Sequence, residues 1–390
     1  MRLTTSGESH GPALVAVLEG LPAGLPFKPE IINIELARRQ KGYGSGPRMK
    51  LERDEVQILG GVMDEETTGA PLALLIPNRD HDHWRGKAVE PFTTPRPGHA
   101  DLTGAIKYGY RDLRLALERA SARETAARVA AGAVCKHLLA QFHITIGGYV
   151  TAIGEVSGDL DGISYQDRIT RAEASDVRCP EPAVAEAMHA LIRQAITQRD
   201  TLGGIVEIIA LDLPPGLGSY AQWEQRLDAR LGAAVLSVQA VKGVEIGPAF
   251  ENARLPGTQA QDPIRLDAEA GDIYRPTDRS GGLEGGITTS QPLCVRAAMK
   301  PIATTLNPQS TVDLATGREV PTSYERSDFC PVPRAVPILE AMIAFVLADA
   351  LLEKLGGDSL IDLLPRYETL RKAQLADLPM DGVPHIFWPE

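Results

Sequence analysis

Short apolar runs that end at glycine or proline recur along this chain of 390 residues. Runs of this kind predict β-strands, each followed by a turn that proline and glycine enforce. Helical patterns lie between the runs, but strands and helices do not alternate in the regular rhythm of a βαβ protein. No internal repeat or linker divides the chain, so the sequence predicts a single large α+β domain over residues 1–390, with a C-terminal tail from about residue 357. The runs are ALVAVLEGLPAGLPF, VQILGGV, PLALLIPN, ITIGGYVTAIGEV and GGIVEIIALDLPPGLG.

The clearest helix runs from Ser121 to Phe142, where alanine, valine and leucine repeat at helical spacing. Ser121 and Glu124 have the spacing of a capping box, which predicts that the helix begins there. The segment from Pro337 to Leu355 is apolar on nearly every side, as expected of a helix buried in a bundle or at a subunit interface. The sequence also predicts helices at Pro182–Gln198 and Trp223–Ala234, and a polar, turn-rich surface excursion at Glu251–Arg279.

The charge of the chain is unevenly distributed. A formal net charge of -11 argues against a nucleic-acid-binding surface, which needs a basic excess. Basic clusters within an acidic chain instead suggest a small anionic ligand in a pocket, because only the local field must be positive. Two solvated faces with surface ion pairs are the alternative. The clusters are Arg38, Arg39, Lys41, Arg48 and Lys50, and then Arg111, Arg114, Arg119, Arg123 and Arg128.

Cysteine usage and hydropathy indicate the compartment. The four cysteines form no CxxC pair, which argues against a zinc site or a disulfide framework and favours a reducing compartment. The polar start of the sequence, MRLTTSGESHG, lacks the pattern of a signal peptide. No apolar run approaches the roughly 20 residues that span a bilayer. We therefore expect a cytoplasmic protein without a membrane segment.

Five segments combine glycine or proline with ionisable side chains. In SGESHGP, His10 lies between two glycines, which leaves it open to close approach. RRQKGYGSGPRMK, residues 38–50, is a glycine-rich loop whose arginines could donate in pairs to carboxylate or phosphate. RPGHAD exposes His99 behind a Pro-Gly turn and leads to the helix start at Ser121, where free N–H groups favour an anion. The remaining segments are DRSGGLEGGITTSQPL, and MKPIATTLNPQS together with YERSDFCPVPRA.

Together the segments suit general acid–base chemistry on a phosphorylated anion beside a bound cofactor, because they offer two histidines, many arginines and no recognised nucleophile. The segment NRDHDHW allows a competing interpretation, since His81, Asp82 and His83 could be taken for metal ligands. No further ligand cluster is evident in the sequence. We therefore expect a polar loop near the pocket and no metal.

The motifs GESHG, RRQKGYG, RPGHAD, KYG, ERASARETAARVAAGA, AVKGVEIG, GGLEGGI, MKPIATTL and VPRAVPILEAM occur in an order that resembles the chorismate synthase family. The resemblance extends from near residue 1 to about residue 355. It implies the last step of the shikimate pathway, in which 5-enolpyruvylshikimate 3-phosphate loses phosphate and a ring proton to give chorismate. It also implies reduced FMN without net redox change, NADPH as a possible reductant, a single β-α-β sandwich with antiparallel sheets around central helices, and a homotetramer.

The resemblance further implies roles for individual residues. His10 would protonate or polarise the departing phosphate, His99 would protonate the anionic reduced flavin near N1, and Asp328 would help the flavin N5 region take up the substrate proton. The flavin would lend electron density as phosphate departs and recover it as the ring hydrogen leaves. Substrate contacts would fall on Ser9, Arg39, Arg48 and Arg123, and NADP contacts on Arg39 and Ser45. Flavin contacts would fall on Arg119, Ala120, Ser121, Gln239, Ala240, Gly285, Lys300, Pro301, Ile302, Ala303, Thr304 and Arg326.

The chain departs from the family pattern at a few positions. Ser45 stands where many relatives have an arginine, which predicts weaker substrate binding unless Arg48 or Lys50 compensates. Ser327 stands where relatives often have histidine, and Asp278 where they commonly have asparagine. These changes affect expected ligand contacts and leave the family resemblance unchanged.

Two alternatives come from other functional classes. A flavin-binding relative could have lost turnover through the changes at Ser45 and Ser327, although both histidines and Asp328 are retained. A metal-dependent phosphatase using His81 and His83 would release phosphate without flavin and would be inhibited by chelators.

Overall fold

The computed structural model of the chain describes residues 1–44, 54–323 and 327–388. Strands and helices are mixed along these residues without a regular alternation. The strands are β1 (Arg2–Ser6), β2 (Ala13–Glu19), β3 (Ala23–Pro26), β4 (Gln57–Gly60), β5 (Val62–Met63), β6 (Glu66–Thr68), β7 (Leu72–Pro77), β8 (Thr145–Ile153), β9 (Val156–Ser157), β10 (Gly204–Leu211), β11 (Val241–Ile246), β12 (Arg265–Leu266), β13 (Ile273–Tyr274), β14 (Leu283–Glu284), β15 (Ile287–Thr288), β16 (Leu293–Met299), β17 (Ser310–Asp313) and β18 (Arg318–Pro321). The α-helices are α1 (Pro29–Gln40), α2 (His81–Trp84), α3 (Asp101–Tyr108), α4 (Arg114–Ala120), α5 (Thr125–Ala140), α6 (Tyr165–Ala174), α7 (Pro182–Gln198), α8 (Leu227–Leu236), α9 (Ala249–Asn252), α10 (Gly257–Ala260), α11 (Val332–Leu355) and α12 (Leu360–Glu368).

Four strands form an antiparallel sheet in the order β1-β2-β7-β4. In its centre β2 lies beside β7, with Leu14 opposite Ile76 and Leu18 opposite Leu72. Alternate residues of both strands are buried, so apolar side chains cover one face of the sheet. This alternation is typical of an antiparallel sheet that has one face on the core.

A second antiparallel sheet has the order β11-β16-β10-β8-β9. On one face of β10, Val206 and Ile208 belong to the main hydrophobic core. On the other face, Ile209 packs with Tyr149 in a smaller cluster that α6 covers. Because both faces are covered, β10 has the nearly continuous apolar sequence GIVEIIAL instead of an alternating one.

Two long helices fill the space between the sheets. Helix α5 packs on β2 and β7 of the first sheet, whereas α11 packs on β8 and β10 of the second. The helices also pack against each other, and Gly132 of α5 lies directly against Ala341 of α11. The layers are therefore sheet, α5, α11 and sheet. This arrangement confirms the predicted α+β sandwich with antiparallel sheets around central helices.

Replacing Gly132 with alanine is expected to destabilise the fold, because a Cβ there would lie 2.2 Å from the Cβ and 2.7 Å from the carbonyl oxygen of Ala341. Overpacking of this kind costs about 1–3 kcal/mol or more, which exceeds the ~1 kcal/mol that alanine gains over glycine in a helix. Urea unfolding measures the difference. Gly257→Ala is the control, because nothing lies within 4 Å of a Cβ at that position. Equal stability of the two variants would contradict the prediction.

Helix α7 has the predicted bounds, whereas α5, α8 and α11 begin at different residues. Helix α8 begins at Leu227, because the preceding Trp223–Gln225 forms a separate 3-10 turn. Helix α11 begins at Val332, before its predicted start at Pro337. Its second residue is Pro333, whose fixed φ suits the first turn of a helix, so that Pro337 lies inside the helix.

Helix α11 is long and apolar enough by composition to span a membrane, so the expectation that no apolar run approaches this length is wrong. The helix nevertheless lies inside the fold. Its most apolar window of 18 residues is 83% buried by the rest of the protein. It contacts α5 on one side and the second sheet on the other, which explains why it has no polar side. The prediction that this helix is buried is confirmed.

The C-terminal tail packs back onto the first half of the chain. Helix α12 contacts β3, and Tyr367 packs against Phe142 with ring centroids 5.1 Å apart. The polar excursion at 251–279 forms α9, α10 and the β12–β13 pair, as its turn-rich sequence suggests. The tail runs along this excursion, where the N–H of Ile273 donates to the carbonyl oxygen of Ala373 at 2.7 Å.

Candidate functional site

The loop between β1 and β2 holds His10 against helix α4. Nδ1 of His10 lies 2.6 Å from Oε1 of Glu118, and the backbone N–H of His10 donates to Oε2 at 2.7 Å. Trp84 packs against the imidazole, with ring centroids 4.8 Å apart. Gly7 has a φ of +109°, and a Cβ there would lie 2.4 Å from the carbonyl oxygen of Ala13, so the loop requires glycine. The His10 side chain remains 21% exposed, and the loop thus orients the ring without burying it.

The NRDHDHW segment supports the same loop. Asn78 donates from Nδ2 to two carbonyl oxygens of the loop, at 3.0 and 2.8 Å. In the one-turn helix α2, Nδ1 of His81 lies 3.0 Å from the carbonyl oxygen of His10, while Nε2 of His83 contacts Lys87. Within the residues that the structure describes, no group of three His, Cys, Asp or Glu side chains is arranged to hold a metal ion. The segment is thus a short helix beside His10, where the sequence predicted a loop.

Two buried arginines share one buried carboxylate. Arg123 donates from Nη1 to both oxygens of Asp54, at 2.7 and 2.8 Å, and from Nε to Oδ1 of Asn78 at 2.9 Å. Nη1 of Arg39 lies 3.4 Å from the same Asp54, and its Nε donates to Oγ1 of Thr125 at 3.0 Å. Only 3% of Arg39 and 2% of Asp54 are exposed. The chain thus places two guanidinium groups side by side in a region of low dielectric.

The electrostatics of Arg39 favour an anion nearby. Burial lowers the pKa of Arg39 to about 9, and the positive charges of Arg334 and Arg123 act in the same direction. Asp54 opposes this shift without cancelling it. A bound anion would offset the cost of burying this charge, so a phosphate or carboxylate is the expected ligand.

Asp328 joins this cluster through Arg334, in the first turn of α11. Arg334 pairs with Asp328, and its Nε donates to the carbonyl oxygen of Arg39 at 3.1 Å. The N–H of Phe329 donates to the carbonyl oxygen of Gly44 at 2.9 Å, which connects the neighbour of Asp328 with the glycine-rich loop. Three residues that the sequence predicted in this region lie outside the described residues, namely Ser45, Arg48 and Arg326.

His99 also has a carboxylate partner. Its Nδ1 lies 2.6 Å from Oδ1 of Asp101, the first residue of α3. Arg96 binds the same carboxylate from Nε at 2.8 Å and from Nη2 at 3.0 Å. Burial alone would raise the pKa of Asp101, but its bonds with His99 and Arg96 hold that pKa well below its usual range. Asp101 is therefore ionised, and its charge is divided between two partners.

Residues 300–304 lie directly against the RPGHAD turn. Lys300 donates from Nζ to the carbonyl oxygen of Gly98 at 2.6 Å, and Nη1 of Arg96 lies 3.4 Å from Oγ1 of Thr304. The carbonyl oxygen of Ile302 accepts a hydrogen bond from a threonine before β10 at 2.9 Å. The two remaining members of the segment, between these contacts, are Pro301 and Ala303.

Gln239 and Ala240 connect the two histidine regions. The carbonyl oxygen of Ala240 accepts the N–H of Lys300 at 3.0 Å. Nε2 of Gln239 donates to Oε2 of Glu124 at 3.3 Å, and Oε1 of Glu124 accepts the hydroxyl of Thr5 at 2.6 Å. Among the described residues, Oε1 of Gln239 is buried and has no hydrogen-bond partner. A buried acceptor without a donor costs free energy, so a ligand that donates to it would be favoured.

The end of α4 faces the His10 loop. Arg119 donates from Nη2 to the carbonyl oxygen of Thr5 at 3.2 Å, and Ala120 is the last residue of the helix. The hydroxyl of Ser121 lies 3.2 Å from that of Ser9, which is 4% exposed. These contacts place the α4 terminus and the His10 loop at one location.

The predicted capping box at Ser121 is incomplete. The hydroxyl of Ser121 does accept the N–H of Arg123 at 3.2 Å, but residues 122–124 form a 3-10 turn and α5 begins only at Thr125. The carboxylate of Glu124 does not return to Ser121. It pairs with Arg128 at 2.8 Å and accepts the two side chains described above. The helix therefore begins at Thr125 and not at the predicted Ser121. The Glu124 carboxylate binds these other side chains and does not cap the helix.

Gly285 is not part of this connected region. It forms the turn of the β14–β15 hairpin with Gly286, and both glycines have a positive φ. The carbonyl oxygen of Gly286 accepts the N–H of Leu227 at 2.9 Å. In the part of the chain that the structure describes, no hydrogen bond joins Gly285 to the residues around either histidine.

One helix pair supports both histidines. Glu118, the partner of His10, lies in α4, and Asp101, the partner of His99, begins α3. The two helices pack closely, since a Cβ on Gly104 of α3 would lie 2.9 Å from the Cβ of Ala116 in α4. The histidine–carboxylate pairs are therefore fixed relative to each other by a common support.

The arrangement can bind an anion and move protons beside it. Buried guanidinium groups supply charge-assisted donors, and the two imidazoles supply ring nitrogens that can donate or accept a proton. Sequence reasoning missed the acidic and amide partners that orient these groups. Asp101 follows His99 by two residues and could have been found from RPGHAD, but Asp54 lies 69 residues from Arg123 without any motif. The missed partners are Asp54, Asn78, Asp101 and Glu118.

Comparison with known proteins gives a consistent result. Residues 1–352 match a family model described as chorismate synthase. The chorismate synthase of Trichlorobacter lovleyi is 51% identical over 378 residues, covering 93% of this chain and 96% of its own. That of Aquifex aeolicus is 50% identical over 388 residues, with coverages of 94% and 96%. A crystal structure of chorismate synthase superposes with a TM-score of 0.78 at 43% identity, covering 94% of this chain and 96% of its own.

Proposed function

This chain belongs to the chorismate synthase family, and from that premise we propose that it eliminates phosphate and a ring proton from 5-enolpyruvylshikimate 3-phosphate with reduced FMN bound. As a chorismate synthase, the protein is a lyase of aromatic biosynthesis. The proposal for the site rests on one observation above all. A buried arginine cluster and two histidine–carboxylate pairs are joined through α3, α4 and the His10 loop.

Arg39 and Arg123 would hold the phosphate of the substrate, together with the hydroxyl of Ser9. The guanidinium groups are already fixed by Asp54, so little side-chain entropy is lost when they bind an anion. Charge that develops on the leaving phosphate is stabilised most by donors that are oriented beforehand. We propose Arg48 as a further substrate contact on the resemblance alone.

His10 would donate a proton or a hydrogen bond to the departing phosphate. Its loop leaves the ring partly exposed while Glu118 and Trp84 fix its orientation. His99 would exchange a proton with the reduced flavin, and Asp328 would assist removal of the ring proton of the substrate. Arg334 pairs with Asp328 and connects it to the backbone of Arg39. This pairing keeps the carboxylate near the phosphate-binding arginines.

The residues present fit a flavin. Gln239 offers a buried carbonyl oxygen that lacks a donor among the described residues, as expected where the N–H or hydroxyl of a ligand belongs. Lys300 lies between that position and His99, with its backbone bonded to Ala240 and its ammonium group bonded to Gly98. When bound, reduced FMN supplies electron density to the substrate as phosphate leaves. We propose that the α4 terminus, Gln239, Ala240 and residues 300–304 hold it.

The test is an anaerobic incubation of the purified protein with 5-enolpyruvylshikimate 3-phosphate and chemically reduced FMN. We expect chorismate and inorganic phosphate in equal amounts, and neither product without reduced flavin. Binding of flavin and substrate without product would favour a relative that has lost turnover. Phosphate release without flavin that chelators inhibit would favour a phosphatase.

The same assay with NADPH and oxidised FMN tests the source of the electrons. We propose that NADPH can serve as reductant, with contacts at Arg39 and Ser45, and that the enzyme is a cytoplasmic homotetramer. Chorismate formed when NADPH is the only reductant present would support the first proposal. Sedimentation of the purified protein tests the second.

Replacing Arg123 with lysine is expected to raise KM for the substrate by ~10–100-fold, the value of a charge-assisted hydrogen bond. Lysine keeps the positive charge but lacks the planar fork whose Nε reaches Asn78 and whose Nη1 reaches Asp54, so its single ammonium nitrogen cannot hold both partners and a phosphate oxygen in the same geometry. Steady-state kinetics with saturating reduced FMN measures the change. Arg226→Lys is the control, because that side chain is 39% exposed and pairs with Asp228 at the surface, in the turn before α8. An unchanged KM in Arg123→Lys would remove this residue from the phosphate site.

A further inference from the structure

Glu118 holds the His10 loop at three points. Its carboxylate accepts the backbone N–H of His10 at 2.7 Å and lies 2.6 Å from the ring Nδ1. Its own carbonyl oxygen accepts the N–H of Ser9 at 3.2 Å. Two successive residues of the loop are therefore bound to one residue of α4. Because one carboxylate contacts both the backbone and the ring of His10, it fixes the position of the loop and the rotation of the imidazole.

The backbone of Glu118 is itself firmly placed. Its neighbour Leu117 and the preceding Leu113 are buried with Phe92 in a small hydrophobic cluster. On another side of the helix, Ala116 packs against Gly104 of α3. Helix α4 can therefore act as a rigid support for the exposed His10 loop.

The two histidine–carboxylate pairs differ in charge. At His99, the carboxylate of Asp101 is shared with the guanidinium group of Arg96. Among the described residues, no lysine or arginine lies within 4.0 Å of the Glu118 carboxylate, and His10 is its ion-pair partner. Burial alone would raise the pKa of Glu118, but its bonds with His10 outweigh burial and lower that pKa. The full negative charge of Glu118 is thus directed at His10.

We propose that Glu118 is the positioning residue of His10, which fixes Nδ1 by a hydrogen bond and stabilises the imidazolium form that donates to the departing phosphate. With Nδ1 engaged, the proton is transferred from Nε2, and the neutral ring keeps its hydrogen on Nδ1. This inference rests on the proposed function, because it assigns Glu118 a part in the expulsion of phosphate. The arrangement parallels other sites in which a carboxylate orients a catalytic imidazole.

Other titratable groups surround the pair. Glu8 belongs to the same loop, and His81 of α2 contacts the carbonyl oxygen of His10 and not its ring. Arg114, one turn before Glu118 in α4, acts on the Glu118 carboxylate at longer range. Substitution of Glu118 leaves all three in place, so its effect on the pH profile can be separated from theirs.

The test compares Glu118→Gln with the wild type in the anaerobic assay. We expect kcat to fall ~10–100-fold with little change in KM, because a charge-assisted hydrogen bond to His10 becomes a neutral one. Protonated His10 is the active form, so activity is lost as pH rises. Removing the negative charge disfavours that form, and the alkaline limb of the kcat profile should move to lower pH. Asp176→Asn is the matched control, because it alters a carboxylate 2.6 Å from Nε2 of a different histidine, His189. The Asp176 side chain is 59% exposed, and the substitution leaves its backbone contact with Tyr43 in place.

A double mutant separates positioning from a general structural effect. If Glu118 acts through His10, then His10→Ala/Glu118→Gln should be no slower than His10→Ala alone. The proposal is overturned if the losses in kcat of the two single variants multiply in the double variant. It is also overturned if Glu118→Gln is slower but its pH profile does not shift. If wild-type protein makes no chorismate, the proposed function fails instead.

A second measurement is made on the wild-type protein and does not require Glu118→Gln to fold. Imidazole ¹⁵N spectra of the wild-type protein, with the His10 signals assigned by their loss in His10→Ala, report which ring nitrogen carries the hydrogen. We expect Nδ1 to be protonated on both sides of the titration. A neutral form protonated on Nε2 would overturn the proposal.

Discussion

Alanine in place of His10 or His99 is expected to lower kcat by ~10²–10⁴-fold, the range typical of a lost acid–base group. Each side chain is held by a carboxylate at 2.6 Å, so its removal deletes an oriented proton-transfer group and leaves the backbone of the site in place. Single-turnover experiments with reduced FMN measure the loss directly. The two variants should differ in their flavin spectra, because only His99 adjoins residues 300–304, through Arg96 and Gly98.

His137→Ala is the control for both variants, because that imidazole contacts the carbonyl oxygen of Pro26, away from the site. The control should keep wild-type turnover and flavin spectra. Near-wild-type turnover in His10→Ala or His99→Ala would remove that residue from the mechanism. A thermal unfolding curve for each variant separates lost chemistry from lost folding.

Glutamine in place of Glu340 is expected to destabilise the protein by about 3–5 kcal/mol, the cost of breaking a buried ion pair. Glu340 of α11 is fully buried and accepts from Arg38 of α1 at 2.6 Å and from Lys136 of α5 at 2.7 Å. These three residues connect three helices at the centre of the fold. The substitution removes the buried anion that Arg38 and Lys136 share and leaves each of them only its partly exposed carboxylate partners, of which Glu35 is common to both. Urea unfolding at neutral pH measures the loss. Glu353→Gln in the same helix is the control, because Glu353 is 59% exposed and its surface pair contributes little.

The pH dependence gives a second test of Glu340. Burial would raise its pKa, but Lys136 and Arg38 outweigh burial and lower the pKa to about 2. A lowered pKa contributes stability that is complete above the unfolded value near 4.5 and is lost as pH falls toward 2. The difference between wild type and Glu340→Gln should therefore shrink over that range of pH. A difference that is constant from pH 6 to pH 2 would contradict this assignment of the charge.

Local patterns in the sequence predict much of the fold, because strand and helix formation depend on neighbouring residues. The runs around β2, β7, β8 and β10 all become strands, and α7 has the predicted bounds. Two of the helix starts that differ depend on contacts with distant residues. The N–H of Leu227, where α8 begins, donates to the carbonyl oxygen of Gly286 at 2.9 Å, and the carboxylate of Glu124 accepts the hydroxyl of Thr5 of β1 at 2.6 Å. The early start of α11 is instead local, because Pro333 suits the first turn.

The sequence predicts the charged groups of the candidate site but not the residues that orient them. Motifs locate His10, His99 and Arg123, because glycine loops beside ionisable residues are local features. Glu118, which orients His10, lies 108 residues away and gives no local signal. Pairings of this kind arise only when helices and loops pack, so they follow from the tertiary structure.

Helix α11 contributes both to the stability of the fold and to the geometry of the candidate site. Its interior is wedged between α5 and the second sheet, while its first turn presents Arg334 to Asp328 and to the backbone of Arg39. Any repacking that shifts this helix along its axis also moves Arg334, which binds Asp328 and the backbone of Arg39. Directed evolution for heat tolerance should therefore leave α11 untouched and look for gains in segments away from the site, such as the polar excursion at 251–279.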